Sequence, residues 1–292
     1  MNNLALNIKN ISKSFGTKTI LDQLSLSVPK GSVFGLLGKN GAGKTTLIKC
    51  ALGLMKPQSG EITVLSDNPW IFREATKEKL GYVPQTERLY PWLTVRQLIH
   101  YTASFYSHWN EDLVNGLITD WELNPEDRVG LLSEGQAQKL SIILALGHEP
   151  ELLVFDEPVA SLDPAARRQF LKTILQIVSD KKVTVFFSTH ITSDLERVAD
   201  RVAVLKNGKI DFCGELDDLK DAVKRLRIPK IDQLPDRMTI NGLIYCEEEP
   251  DGLIIAVRDF REEMKRHIEN TWNVTVEVED LNLEEIFLEL NR

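Results

Sequence analysis

Residues 32–46 read SVFGLLGKNGAGKTT, and this stretch decides the fold. The apolar run 32–37 is typical of a buried strand. It passes directly into a glycine-rich loop, residues 38–45, that fits the pattern GxxxxGK[ST], and then into the helical run LIKCALGL. A strand, a glycine-rich loop and a helix in this order are the context that a phosphate-binding loop requires. We therefore predict such a loop here rather than a glycine-rich turn with a chance lysine.

Each residue type in this loop suits an anion. The glycines let the backbone turn its N–H groups inward, and the following helix presents its positive N-terminus. Lys44 can reach the β- and γ-phosphate oxygens, while the hydroxyl of Thr45 can bind Mg²⁺. The predicted nucleotide-binding residues of the loop are Gly38, Asn40, Gly41, Ala42, Gly43, Lys44, Thr45 and Thr46.

A second apolar run ends in two carboxylates. Residues 151–156 read ELLVFD, and Glu157 follows. We expect this strand to lie next to the strand before the phosphate loop, so that Asp156 can hold Mg²⁺ through water. Glu157 would orient or deprotonate the attacking water, a role that contributes about 10²–10⁴-fold to a rate. A strand that merely ends in an acidic turn is the alternative, and the nearby phosphate loop makes it the weaker one.

The rest of the chain predicts a mixed α/β architecture. Residues 1–30 read as short antiparallel strands, and residues 183–189 as another buried strand, preceded by a helix that Asp163 caps and Pro164 begins. Strand, helix and strand in sequence imply a parallel sheet. Residues 86–150 have helical periodicity, and Asn207-Gly208 marks a hairpin. We predict one domain over 1–214, with a helical insertion at about 86–150, and a small α/β domain over 215–292. This second domain is predicted to run helix, strand (252–258), helix (259–272), strand (274–279) and helix (283–290).

Composition excludes several functional classes. Net charge is −8, and residues 215–292 hold 20 Asp/Glu against 11 Lys/Arg, a balance of −9, which argues against a nucleic-acid partner. The cysteines, Cys50, Cys213 and Cys246, are too far apart in sequence for a zinc knuckle or a disulfide framework. No signal peptide and no run of about 20 apolar residues is visible. We expect any role at a membrane to depend on a partner.

Together with the phosphate loop, further motifs resemble the ATP-binding subunit of ATP-binding-cassette (ABC) transporters over residues 4–214. LSEGQ at 132–136 resembles the LSGGQ signature of that family, and YVPQ at 82–85 places Gln85 in its Q-loop. ASLDP at 160–164 resembles its D-loop, with Asp163, and STH at 188–190 places His190 at its switch position. The match rests on the order and spacing of these motifs together.

The resemblance implies ATP and Mg²⁺ as cofactors and assigns further roles. Phe15 would stack on adenine, although simple packing of an aromatic side chain is the alternative. Gln85 would join Thr45 and Asp156 at the metal and link the site to the helical insertion. His190 would hold the γ-phosphate and the attacking water. Glu157, His190 and Gln85 are thus the predicted catalytic residues.

The stretch around Ser133 has a local and a distant interpretation. Ser133 and Gln136 fit a capping box at the start of a helix, but Gly135 weakens a helix in its first turn. The resemblance implies that Ser133, Gly135 and Gln136 close over ATP held by another subunit, so that two chains sandwich two ATP molecules head to tail. Glu134 departs from the family's glycine. It either weakens the capture of phosphate or points outward along the helix dipole.

Partners follow from the same resemblance. Details such as the closing NLEEIFLEL are similar to single-cassette ATPases of ABC-2-type exporters, and FYSHW at 105–109 is similar to the Ytr group. We expect a dimer with itself or a second ABC ATPase, integral membrane permease subunits, and a place on the inner face of the cell membrane. YPWL at 90–93 either docks a permease or starts a helix. A soluble ABC ATPase acting on DNA or ribosomes and an ATP-sensing regulator are the alternative functions.

Overall fold

The computed structural model of the protein describes residues 3–85, 89–159, 162–181, 183–230 and 240–292, with the backbone alone at 180 and 181. Internal contacts divide the chain into two compact units, Met1–Cys213 and Gly214–Arg292. Each unit is therefore described by itself.

The first unit alternates strands and helices after an initial hairpin. In chain order its elements are β1 (Leu4–Phe15), β2 (Lys18–Pro29), β3 (Val33–Leu37), α1 (Lys44–Ala51), β4 (Ser59–Val64), α2 (Glu74–Lys77), β5 (Leu80–Val83), α3 (Val95–Ala103), α4 (Glu111–Asp120), α5 (Glu134–Leu146), β6 (Leu152–Asp156), α6 (Pro164–Lys181), β7 (Thr184–Thr189), α7 (Thr192–Val198), β8 (Arg201–Lys206) and β9 (Lys209–Glu215). The last strand crosses the boundary between the units.

An antiparallel sheet in the order β2-β1-β4 forms one layer of this unit. Phe15 pairs with Lys18 across a two-residue turn in which Gly16 has a φ of +58°. Alternate residues are buried in the second half of β2, at Leu24, Leu26 and Val28, as expected when one face of a sheet packs on a core. The hairpin predicted for residues 1–30 is confirmed, and it brings Phe15 to the end of β1.

A second sheet has the order β5-β6-β7-β3-β8-β9. Its pairs from β5 to β8 are parallel, and β8 and β9 form the predicted hairpin, with Asn207 and Gly208 at φ values of +50° and +77°. Every residue of β3, β6 and β7 is buried, because helices cover both faces of a parallel sheet. Burial of one large apolar side chain such as Phe34 or Phe155 contributes about 1.5–3 kcal/mol.

The strand order corrects one prediction. The strand that ends in Asp156 is not the neighbour of the strand that precedes the phosphate loop, because β7 lies between β6 and β3 and pairs with both. Sequence order alone cannot reveal this, since β7 follows β6 in the chain but is inserted between the two in space. Side chains at the end of β7 therefore lie between the two predicted halves of the site.

Helices α3, α4 and α5 lie between β5 and β6. Thr94 and Gln97 form a capping box at the start of α3, and the side chain of Asn110 caps α4. Helix α3 ends at Ala103, although the helical spacing of apolar residues continues to Tyr106. Beyond this end, the ring of Tyr106 stacks on His148, with 4.0 Å between ring centroids, so Tyr106 makes a tertiary contact instead of continuing the helix.

The second unit is an antiparallel sheet with helices. Its elements are α8 (Leu216–Ala222), β10 (Lys224–Pro229), β11 (Leu243–Glu249), β12 (Gly252–Val257), α9 (Glu262–Trp272), β13 (Glu277–Asp280) and α10 (Leu283–Leu290). The strand order is β11-β12-β10-β13. Strands β12 and β13 and all three helices were predicted, whereas β10 and β11 were not, because KRLRIP and LIYCEEE are rich in charged residues that are uncommon in strands.

The length and composition of a helix decide whether it could span a membrane. Within the described ranges, none of the helices combines the length and the apolar character that crossing a bilayer requires.

Candidate functional site

The predicted phosphate loop connects β3 to α1. Gly43 precedes the helix with a φ of +108°, a conformation that residues with a Cβ rarely adopt. At Gly38 an added Cβ would lie 2.9 Å from the carbonyl oxygen of Leu205, so a side chain does not fit. No side chain caps the start of α1. Its first N–H groups are therefore available to an anion.

A cleft of about 370 Å³ lies beside this loop. It brings together most of the predicted nucleotide-binding residues from the ends of several strands. Its lining residues are Phe15, Lys18, Ile20, Asn40, Gly41, Gly43, Lys44, Thr45, Thr46, Gln85 and Glu157. Lys18 and Ile20 were not predicted as site residues; the sequence signal for them is their position just after the hairpin turn that follows Phe15.

Phe15 and Gln85 lie at the exposed side of the cleft. The ring of Phe15 is 50% exposed, and the ammonium group of Lys13 lies 5.3 Å from its centroid. An aromatic ring so exposed contributes little to the core and offers a surface for stacking. Gln85 is also exposed and follows β5 by two residues. Ala42 donates its N–H to the carbonyl of Lys39 within the loop.

Lys44 is almost fully buried at the base of the loop. Its ammonium group donates hydrogen bonds to the carbonyl oxygens of Gly38, at 2.7 Å, and Lys39, at 3.3 Å. It also lies 3.0 Å from Oε1 of Glu157. A buried charge requires such partners, because leaving water is costly. The cation is thereby fixed between the loop and the end of β6.

Glu157 lies immediately after β6, with a φ of +53° and a side chain that is almost fully buried. One carboxylate oxygen faces Lys44, and the other, Oε2, lies 2.8 Å from Nδ1 of His190. The imidazole of His190 is 43% exposed. When Nδ1 donates to the carboxylate, Nε2 is left as an acceptor facing away from it. The structure thus brings together three of the predicted site residues.

Asp156 ends β6 and has no exposed surface. Its Oδ1 accepts a hydrogen bond of 2.7 Å from the hydroxyl of Ser188, and its Oδ2 is buried without a hydrogen-bond partner among the described residues. A buried carboxylate oxygen without a partner fits the water shell of Mg²⁺, which usually keeps several water ligands. Thr45 and Gln85 provide further oxygens at the cleft. Ser188 was not predicted as a site residue.

The signature-like segment stands apart from this cleft. Ser133 caps α5: its hydroxyl accepts from the N–H of Gln136 at 3.2 Å, and Oε1 of Gln136 accepts from the N–H of Ser133 at 3.0 Å. The predicted capping box is confirmed. Ser133 and Glu134 are exposed, and Gly135 and Gln136 are partly buried. Among the described residues that line the cleft, none belongs to this segment.

Asp163 also lies outside the lining of the cleft. Its Oδ1 accepts hydrogen bonds from the N–H groups of Ala166, at 2.9 Å, and Ala165, at 2.8 Å, which confirms the predicted cap of α6. These two N–H groups, that of Ala166 most, lower the pKa of Asp163 below its ordinary value. Residues 160–161, the first two of ASLDP, lie outside the described residues.

Known sequences are similar to this chain. Residues 21–160 match the ABC transporter family model. Nod factor export ATP-binding protein I of Bradyrhizobium diazoefficiens is 33% identical over 99% of this chain and 97% of its own length. Linearmycin resistance ATP-binding protein LnrL of Bacillus subtilis is 34% identical over 73% of this chain and 70% of its own length.

Solved structures share the fold. The ATP-binding subunit of an ABC transporter superposes with a TM-score of 0.68 and 30% identity, over 74% of this chain and 92% of the other. A dimeric ATP-binding cassette bound to ADP and Pi has a TM-score of 0.65 and 22% identity, over 72% of this chain and 98% of the other. The second likeness, at this identity, concerns the fold alone.

Proposed function

The chain belongs to the ABC transporter family as an ATP-binding and ATP-hydrolysing subunit, and from this premise we propose how its residues divide the work. Two subunits close head to tail on two ATP molecules, and each ATP lies between the cleft of one subunit and the α5 start of the other. One observation carries this proposal. The phosphate loop and Glu157, which contacts His190 at 2.8 Å, line the cleft, whereas Ser133 lies outside it at an exposed helix start.

In the cleft, ATP is held at both ends. The exposed face of Phe15 stacks on adenine, and the loop amides and the α1 start bind the phosphates. Lys44 moves from Glu157 to the β- and γ-phosphate oxygens, because a phosphate carries more negative charge than one carboxylate. Asn40, Ala42 and Thr46 complete the loop around the phosphates.

Mg²⁺ fits the oxygens that surround the cleft. The Thr45 hydroxyl, the Gln85 side chain and Oδ2 of Asp156, the last through water, would hold the ion. When bound, Mg²⁺ neutralises the charge that develops on the β- and γ-phosphate oxygens. The other oxygen of Asp156, Oδ1, already accepts a hydrogen bond from Ser188.

Glu157 is the group that orients and deprotonates water. Once Lys44 turns to the phosphates, Oε1 of Glu157 is released, while Oε2 stays bonded to His190 at 2.8 Å. His190 keeps the carboxylate aimed, and its Nε2 is left to accept a hydrogen bond from the attacking water. Gln85, where β5 leads to the helical insertion, connects the metal to the part of the chain that faces a membrane partner.

The α5 start completes the site of the other subunit. The Ser133 hydroxyl already accepts from Gln136, but its own proton is free to be donated to a γ-phosphate oxygen. Gly135 lets the phosphate approach the backbone, and Asp163, at the start of α6, lies beside the dimer interface. ATP binds the closed pair more tightly than the open one, because only there do both halves touch it. Hydrolysis therefore opens the pair.

A cluster of exposed aromatic rings supports a membrane partner. Tyr90 lies 5.4 Å from both Trp92 and Tyr101, and Tyr101 lies 5.1 Å from Phe105, between ring centroids. All four side chains are at least 42% exposed. Contiguous exposed aromatic surface is typical of protein interfaces. We assign it to a permease subunit, which places the chain on the inner face of the membrane.

Export is the direction of transport that we propose. The relatives are named for Nod factor export and linearmycin resistance, and both names fit movement out of the cell. An ABC-2-type permease is the partner that the closing NLEEIFLEL segment suggests. These relatives also favour a transporter over a soluble ATPase acting on DNA or ribosomes.

Replacement of the proposed base tests the assignment. Glu157→Gln should lower ATP turnover about 10²–10⁴-fold and trap a dimer in the presence of MgATP, because binding is kept while deprotonation is lost. Turnover is measured by phosphate release, and the dimer by light scattering after size exclusion. Glu151→Gln, just before the other end of β6 and paired with Lys79 at 2.6 Å, is the matched control and should behave as wild type. Normal hydrolysis by the Glu157 variant would refute the assignment.

A further inference from the structure

Ser188 occupies a position that the proposed mechanism has not used. It lies near the end of β7, the strand between β6 and β3, and stands opposite Asp156 in the parallel register. Its side chain has no exposed surface. A polar side chain fully buried between two strands that carry the chemistry requires hydrogen-bond partners, and those partners indicate its role.

Both capacities of the Ser188 hydroxyl are in use. It donates to Oδ1 of Asp156 at 2.7 Å and accepts from the backbone N–H of Glu157 at 3.2 Å. The same N–H also lies 3.1 Å from the carbonyl oxygen of Ser188. One side chain thereby contacts the proposed metal carboxylate and the backbone of the proposed base.

These contacts fix the orientation of the Asp156 carboxylate and the backbone conformation of Glu157. With Oδ1 of Asp156 occupied, the carboxylate is held in one rotation, and Oδ2 is the oxygen left without a partner. Glu157 has a left-handed backbone, at a φ of +53°, which a non-glycine residue adopts only when its surroundings hold it. The bifurcated hydrogen bond from its N–H to the hydroxyl and the carbonyl oxygen of Ser188 supplies part of that restraint. The side chain of Glu157 held in this way contacts Lys44 and His190.

We propose that Ser188 is a positioning residue for ATP hydrolysis, which orients the Asp156 carboxylate for the hydrated metal and the backbone of Glu157 for the attack of water. This inference rests on the proposed function of the cleft. It assigns a role to the strand that separates β6 from β3. Through one hydroxyl, that strand contacts both carboxylate residues at the end of β6.

The test compares Ser188→Ala with Thr184→Val, at the other end of the same strand. Thr184 is also buried, and its hydroxyl accepts from the N–H of Gly31 at 3.0 Å. Both variants therefore remove hydroxyl hydrogen bonds from β7, this one at Thr184 and the two described above at Ser188. Both variants should melt at a lower temperature than wild type. Ser188→Ala alone should raise the Mg²⁺ concentration for half-maximal turnover about tenfold, the effect of losing a hydrogen bond to a charged group.

A direct binding measurement accompanies turnover. Mn²⁺ is titrated into the full chain saturated with ADP and followed by electron paramagnetic resonance, with no turnover involved. Ser188→Ala should weaken Mn²⁺ binding about tenfold, whereas ADP affinity without metal should stay close to wild type. If Ser188→Ala does not fold, Ser188→Cys replaces it, because a thiol has similar size but is a weak donor. The same direction of change is then expected.

The outcomes separate this inference from the function itself. A wild-type protein that neither hydrolyses ATP nor binds Mn²⁺ with ADP would overturn the proposed function. A functional wild type whose Ser188 variant keeps the same Mn²⁺ affinity and Mg²⁺ requirement would overturn the role of Ser188 alone. Equal shifts in the Ser188 and Thr184 variants would also overturn it, since they would reflect stability only.

Discussion

The starts of helices α1 and α5 both present backbone N–H groups, but they differ in capping. At α1 no side chain caps the helix, and Gly43 enters it with a φ of +108°. At α5 the side chains of Ser133 and Gln136 bond reciprocally to each other's backbone N–H groups. One helix start is thus left open to an external anion, whereas the other is already partly satisfied by its own chain.

This difference supports the proposal that the α1 start is a binding site and the α5 start a half-site. The open N–H groups of α1, with buried Lys44 beside them, can hold a phosphate within one chain. The α5 start has lost one of its N–H donors to Ser133 and keeps the hydroxyl proton and the N–H groups nearest Gly135. Such a helix start can donate further hydrogen bonds to a phosphate that another subunit already holds, but alone it would bind phosphate weakly. Cooperation between two subunits follows from this division.

The largest expected effect comes from removing the cation at the α1 start. Lys44→Ala should weaken MgATP binding at least about tenfold and abolish most turnover, because it removes a charged donor and leaves Oε1 of buried Glu157 without its partner. Binding is measured by calorimetry. Lys49→Ala, on the same helix, should bind as wild type. If the Lys44 variant retained full affinity, the α1 start would not be the main phosphate site.

An intermediate effect is expected at the α5 start. Ser133→Arg places a long side chain at the proposed subunit interface, so dimer closure and turnover should fall about tenfold or more. Binding of ATP to each monomer should stay nearly unchanged, because Ser133 lies outside the cleft lining. Light scattering in the presence of MgATP reports closure, and calorimetry reports monomer binding. Equal losses in both measurements would mean that Ser133 is structural only.

The smallest effect concerns a third helix start, that of α6, which is capped by a carboxylate. Hydrogen bonds from Ala166 and Ala165 depress the pKa of Asp163 below 3.8, so its ionised cap stabilises the fold above that pH. This contribution is lost as the pH falls through the lower pKa of the folded state. Asp163→Asn keeps a cap without this titration.

Urea unfolding at pH 7, 5 and 3 checks this expectation. The stability difference between wild type and Asp163→Asn should be constant from pH 7 to pH 5 and shrink towards pH 3. A difference that stays constant to pH 3, or grows there, would contradict the assignment of the pKa shift to the cap.

Much of the site was readable from short stretches of sequence. The phosphate loop, the capping box at Ser133, the cap at Asp163 and the turn at Asn207-Gly208 each depend on a few neighbouring residues. Backbone conformation and hydrogen bonds within such a stretch follow from its residue types. The roles of these residues in catalysis stay predictions until the variants above are measured.

The parts that sequence analysis missed depend on distant residues. Strands β10 and β11 contain many charged residues, and their pairing in the sheet of the second unit overrides their weak local preference. Ser188 looked like an ordinary residue before His190, since its partners Asp156 and Glu157 lie more than thirty positions earlier. Helix α3 likewise ends at Ala103, and Tyr106, which follows it, stacks on the distant residue His148.

The sequence by itself determined the phosphate loop, the helix caps and the family resemblance, because each is specified by residues that are neighbours in the chain. The tertiary structure alone decided that β7 separates β6 from β3, that Lys44 meets Glu157, and that the α5 start lies outside the cleft. These features depend on which strands pair over long distances. That pairing is fixed by the burial of entire strands, and burial is a property of the whole fold.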